Sequence, residues 1–134
     1  MSEHAHAHEE TTVIIIDDDD LMRRAVRAAL SSFNCVVVGE TFDGEDGLKL
    51  YEEMKPDLVL LDIRMPKMDG LEALKKISEL NKDAYVVMMT FMDDDSLVQE
   101  CMIAGAKDYL RKEMPLKEMV ARLERHINRL STAA

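Results

Sequence analysis

The sequence predicts an α/β protein built on a parallel sheet that carries helices on both faces. Two observations support this. Short apolar runs alternate with helical periodicity five times along the chain, and the runs are apolar almost throughout rather than at every second residue. Continuous apolar runs belong to strands buried on both sides, and strict alternation of strand and helix is the pattern of consecutive βα units.

The elements follow in order. Residues 13–16 form a β-branched run that ends in acid, a buried strand. Met22, Ala25, Val26, Ala29 and Leu30 then fall on one helical face. Residues 35–38 make a second strand, and residues 44–54 a second helix carrying Leu48 and Tyr51. The third strand is residues 58–61, and Pro56 just before it blocks any helical continuation. Leu71, Leu74 and Ile77 mark the third helix, and residues 85–89 the fourth strand. Leu97, Val98 and Cys101 stripe the fourth helix, and residues 109–110 belong to a short fifth strand. A last helix starts at Pro115, with Leu116, Met119, Val120, Leu123, Ile127 and Leu130 on one face.

At 134 residues the chain is one domain by length. Residues 12–131 are assigned to it, residues 1–11 to a disordered N-terminal tail, and residues 132–134 to a C-terminal end or the start of a missing linker. His4, His6 and His8 in the tail offer imidazoles to a transition metal, but no anchoring element surrounds them, so a leader is the plainer reading. With 47% hydrophobic and 33% charged residues the composition is that of a soluble globular protein. A net charge of −10 excludes a nucleic-acid surface on this domain, because phosphate contacts need clustered Lys and Arg. Cys35 and Cys101 stand apart from one another and from any His pair, and read as small buried hydrophobes in a reducing compartment. There is no signal-peptide pattern and no apolar run near the ~20 residues needed to span a bilayer, so the expected location is cytoplasmic.

In open parallel sheets, ligands bind outside the carboxyl ends of the strands. The first strand ends in Asp17 and Asp18, the third in Asp62 and the fourth in Thr90, while the fifth runs into Lys112. Carboxylates gathered in one crevice repel one another unless a cation compensates, and oxygen-only ligands suit Mg2+, with Mn2+ as a substitute. A carboxylate held beside such a cation can attack phosphorus and form an aspartyl phosphate, with Lys112 and Thr90 supplying a charge and a hydroxyl to the phosphoryl oxygens. Each residue also has a plain structural reading. Asp19 or Asp20 caps the first helix, Asp93, Asp94 and Asp95 cap the fourth, and Met88, Met89, Met92 and Met102 fill core.

The motifs Ile-Ile-Asp17-Asp18 with Met22-Arg23 following, Leu-Leu-Asp62-Ile-Arg-Met65-Pro66-Lys-Met-Asp69-Gly70, Met-Met-Thr90 and Ala104-Gly105-Ala106-Lys-Asp-Tyr109-Leu110-Arg111-Lys112 resemble the receiver domain of two-component response regulators, the CheY-like family. The resemblance runs from about Val13 to Leu130. It implies a flavodoxin-like (βα)5 three-layer sandwich with strand order 2-1-3-4-5. It also implies Asp62 as phosphoacceptor, Mg2+ held by Asp17, Asp18, Asp62 and the backbone carbonyl of Arg64, and Thr90 and Lys112 on the phosphoryl oxygens. Tyr109 matches the aromatic whose rotamer accompanies the Thr90 movement, which biases the surface of helix four, strand five and helix five. The implied partners are a histidine kinase or histidine phosphotransfer protein, an unidentified downstream target, and a second copy of the chain on phosphorylation. The implied role is a signalling switch that catalyses its own phosphorylation and dephosphorylation, rather than an enzyme acting on a separate substrate.

Three positions depart from the family pattern. Phe91 follows Thr90 where a small residue is usual, and a ring at the mouth is expected to slow both phosphorylation by small donors and hydrolysis. Glu113 follows Lys112 where Pro is common, so that peptide is either a costly non-proline cis bond or trans. Asp19 and Asp20 extend the acidic pair. Two rival readings remain: a pseudo-receiver serving only as an interaction module, and a Mg2+-dependent phosphohydrolase of the haloacid-dehalogenase type. The second needs an acid two residues after its nucleophile, where this chain has Arg64.

Overall fold

The computed structural model describes residues 10–92 and 94–132. Five strands and five helices alternate: β1 (Thr11–Ile16), α1 (Asp20–Leu30), β2 (Cys35–Thr41), α2 (Gly44–Met54), β3 (Leu58–Leu61), α3 (Gly70–Leu80), β4 (Val86–Thr90), α4 (Asp95–Ile103), β5 (Asp108–Arg111) and α5 (Leu116–Thr132). The sheet order is β2-β1-β3-β4-β5, and every pairing is parallel.

The apolar runs are strands because both their faces are covered. Along β1, Val13 and Ile15 join a core with Val26 and Leu30 of α1 and Met119, Leu123 and Ile127 of α5. Ile14 and Ile16 point the other way, into a core with Tyr51 of α2, Leu74 and Ile77 of α3 and Cys101 of α4. The three-layer sandwich follows from that alternation. Cys35 and Cys101 are buried free thiols, and burial holds the Cys101 thiol at about 11, far from reactive. Met88 and Met89 are core side chains and Met92 packs partly buried against the core that holds Met88, whereas Met102 is 43% exposed and does not fill core.

Several boundaries differ from the sequence reading. β1 begins at Thr11, which patterning assigns to the tail, because the Thr11 amide donates to Asn34 O and Thr12 binds the Asp57 carboxylate through its amide and hydroxyl. β2 runs on to Thr41 through a register shift, pairing Val37 with Val13 but Gly39 with Ile14. A Cβ at Gly39 would lie 2.9 Å from the methyls of Leu50, a side chain that would have to shift to admit it. Leu116 is 63% exposed at the start of α5 rather than on its buried face. The buried stripe of that helix is Met119, Leu123 and Ile127, together with His126.

His126 answers to charge on the edge of the sheet. Its Nε2 lies 2.8 Å from Asp108 Oδ2 and its Nδ1 lies 2.7 Å from the Tyr85 hydroxyl. Arg122 donates to both oxygens of Asp108, and the Tyr109 amide donates to one of them. Burial would raise the Asp108 carboxyl, but these donors outweigh it and hold the group well below the ordinary carboxylate range. The network ties α5 to the amino end of β5, at the opposite rim from the carboxyl ends.

Candidate functional site

At the carboxyl rim of the sheet, β1 leads into Asp17, β3 into Asp62 and β5 into Lys112, while Thr90 is the last residue of β4. All four are at least nine-tenths buried. The backbone fixes their positions through the Asp62 amide on Ile16 O (2.9 Å), the Lys112 amide on Thr90 O (2.8 Å) and the Asp17 amide on Thr41 O (3.0 Å).

Gly70 sets how close the next helix comes. A Cβ at that position would lie 1.9 Å from the Asp62 carbonyl oxygen, so only glycine lets α3 start against the end of β3. Asp69 caps that helix through the Glu72 amide, and Asp19 caps α1 through the Met22 amide, as the acidic run predicts.

The Lys112 ammonium lies 2.8 Å from Asp17 Oδ2 and 3.1 Å from Asp62 Oδ2. Asp62 Oδ1 accepts the Ile63 amide at 2.7 Å. Burial pushes the Asp17 carboxyl up, to about 6; hydrogen bonds from Lys112 and the Asp19 amide pull against that, while the nearby Asp62 charge adds to it. For Lys112 burial acts downward, and the two carboxylates outweigh it, so the ammonium is held above its ordinary value. The site is therefore a buried cation shared by two acids.

Among the described residues, Asp17, Asp18 and Asp62 form the cluster that could hold a metal ion, each offering an oxygen within 4.8 Å of the others. The donor set fits a hard divalent cation: it is all carboxylate oxygen, Asp18 is exposed and open to a hydrated ion, and a cavity of about 510 Å³ opens beside it. Asp18, Asp62, Arg64, Thr90, Phe91 and Lys112 line that cavity.

Phe91 is 57% exposed at the mouth, with the Lys112 ammonium 5.3 Å from its ring centroid. The Thr90 hydroxyl accepts the Met92 amide at 3.3 Å, and the Tyr109 hydroxyl donates to the Met92 carbonyl at 2.6 Å. Tyr109 is buried, so its ring is turned inward against the segment between β4 and α4. No peptide among the described residues is cis, and Lys112–Glu113 is trans. Asp94 caps α4 through the Ser96 amide. Asp93 and the His4, His6 and His8 tail lie outside the described residues.

Arg23 stands in the motif that follows Asp18, but the sequence assigns it no role. It is buried, and its guanidinium donates to the Asp17 carbonyl at 2.6 Å, to Asp20 at 2.7 Å and to Glu40 at 3.2 Å. The available signal is its spacing: Arg23 shares the i, i+3, i+7 face of Val26 and Leu30, where a charge has no place without partners.

The family model for the response regulator receiver domain matches residues 13–124. Protein CcdB of Bacillus subtilis is 38% identical over 108 residues, 78% of this chain and 90% of that protein. The chemotaxis protein CheY of Treponema pallidum is 41% identical over 96 residues, 70% of this chain and 67% of that protein. Among solved structures, a CheX–CheY–BeF3–Mg2+ complex from Borrelia burgdorferi superposes with a TM-score of 0.82 at 30% identity, covering 87% of this chain and 88% of that one.

Proposed function

The chain belongs to the response regulator receiver domain family, and we propose that Asp62 is the residue that carries its phosphoryl group. The observation that carries this reading is the Lys112 ammonium, 3.1 Å from Asp62 in a buried pocket that Thr90 and Asp18 also line. A lone pair of the Asp62 carboxylate attacks phosphorus, the new O–P bond forms, and the P–N bond of a phosphohistidine or phosphoramidate donor breaks as the leaving nitrogen takes a proton from solvent. Lys112 and the Thr90 hydroxyl then hold the transferred oxygens.

Asp17, Asp18, Asp62 and the Arg64 backbone carbonyl are the proposed holders of Mg2+, with Mn2+ as a substitute. The cation supplies positive charge against the phosphoryl oxygens when bound. The complex of the Borrelia CheY with BeF3 and Mg2+ supports that choice. The Tyr109 rotamer accompanies the movement of Thr90 toward the new charge, and with it the face made by α4, β5 and α5 changes shape.

The proposed donors are a histidine kinase or a histidine phosphotransfer protein, acting in the cytoplasm on a receiver that runs from β1 at Thr11 to the end of α5 at Thr132, and the changed face serves a target or a second copy of the chain. Among the described residues no helix is long and apolar enough to cross a membrane. Intact mass after incubation with Mg2+ and phosphoramidate tests the reading. One added phosphoryl group is expected, absent without the metal and absent in Asp62→Ala; no adduct, even from a phosphohistidine donor, would leave a pseudo-receiver.

A further inference from the structure

We propose that Arg23 is a positioning residue that sets the divalent-cation affinity of the acidic cluster, acting through the peptide that joins Asp17 to Asp18. This rests on the reading of Asp17, Asp18 and Asp62 as the cation site.

The peptide is a rigid plane, so fixing its carbonyl fixes the Cα atoms on either side. The Asp17 carbonyl accepts from Arg23 Nη1 at 2.6 Å, while the Asp17 amide is held by Thr41 O at 3.0 Å. Asp17 Oδ1 also accepts the Asp19 amide at 2.8 Å. One guanidinium bond thereby orients two candidate ligands, the buried Asp17 and the exposed Asp18. Without it the Asp17–Asp18 plane is free to turn, and the cluster loses its convergence.

The guanidinium is itself held on three sides. Nη2 binds Asp20 at 2.7 Å, Nε binds Glu40 at 3.2 Å, and its face lies 4.6 Å from the Phe42 ring centroid. Glu40 also receives Arg27. Glu40 precedes Thr41 on β2, so one edge strand anchors both the amide and the carbonyl clamp on Asp17. A buried arginine beside a cation site costs cation affinity by repulsion; here its carboxylate partners Asp20 and Glu40 offset the charge and leave the geometry. A planar fork meets these acceptors at once, which a lysine ammonium cannot do.

The test is the Mg2+ dissociation constant by calorimetry, repeated with Mn2+ by electron paramagnetic resonance, alongside thermal midpoints without metal. Arg23→Met is expected to weaken Mg2+ binding by about 10–100-fold, and Arg23→Lys by nearly as much although it keeps the charge. An Arg23→Met, Glu40→Gln double variant covers the case in which Glu40, left without its partner, unfolds the single variant. Asp18→Asn is the control for the site. If Asp18→Asn weakens binding while the Arg23 variants bind like the parent with only a lowered midpoint, Arg23 is a structural residue and the proposal is overturned. If Asp18→Asn leaves the affinity unchanged, the cation-site reading fails first.

Discussion

The Lys112 ammonium lies 3.1 Å from the Asp62 carboxylate, at a distance of 50 residues in sequence, and both side chains are almost wholly removed from water. The same ammonium reaches Asp17. One fixed cation therefore balances two acids before any metal arrives.

Removing that cation leaves two buried carboxylates facing each other. Lys112→Met is expected to lose about 3 kcal/mol of stability without metal, the order found when one partner of a buried ion pair is deleted. Added Mg2+ supplies the missing charge, so it should raise the thermal midpoint of Lys112→Met more than that of the parent. Equal shifts in the two proteins would contradict the shared-cation reading.

Phe91 stands over the mouth of the cavity with its ring against Lys112. Phe91→Ala is expected to speed phosphorylation by small donors and hydrolysis of the product, each on the order of tenfold, or ~1.4 kcal/mol of barrier. Rates followed by intact mass check both; unchanged rates would show that the ring obstructs neither step.

Gly70 packs directly against the end of β3. Gly70→Ala places a methyl against the Asp62 carbonyl oxygen, 1.9 Å away before relaxation. A cost of about 1–3 kcal/mol is expected in urea unfolding, together with slower phosphorylation as the end of β3 is displaced.

Asp108 gives the fold an acid-sensitive anchor. Its folded carboxyl titrates well below the ordinary range because His126 and Arg122 outweigh its burial, whereas the unfolded group titrates near ~3.9. A proton therefore binds the unfolded chain more readily. The stabilisation is complete above about pH 5 and is lost as pH falls through the folded value. Asp108→Asn should lose about 2 kcal/mol at neutral pH and show a flatter decline between about pH 4 and pH 2, measured by urea unfolding across that range.

The sequence made legible what period and strand-end chemistry encode. α2 and β3 lie where patterning places them, since Pro56 and the residues 58–61 run leave little choice. Asp17, Asp18, Asp62, Thr90 and Lys112 come together because parallel strands deliver their carboxyl ends to one rim. The second half of β2 was hidden by Gly39 and Glu40, which belong to strand only because of an edge position and a register shift. Leu116 reads as core by spacing but sits before the first packed turn of α5. The roles of Arg23 and His126 were illegible for a common reason: a charged or titratable side chain on a buried face is explained only by the partners the fold brings to it.

The most direct measurement is the location of the phosphoryl group. After phosphorylation with Mg2+ present, borohydride reduces an aspartyl phosphate to homoserine, and peptide mass spectrometry then finds the altered residue. Homoserine at position 62 alone, absent when Mg2+ is withheld, is the predicted result. An unaltered Asp62 in protein that has gained a phosphoryl group, or homoserine at another aspartate, would contradict the assignment of Asp62 as the acceptor.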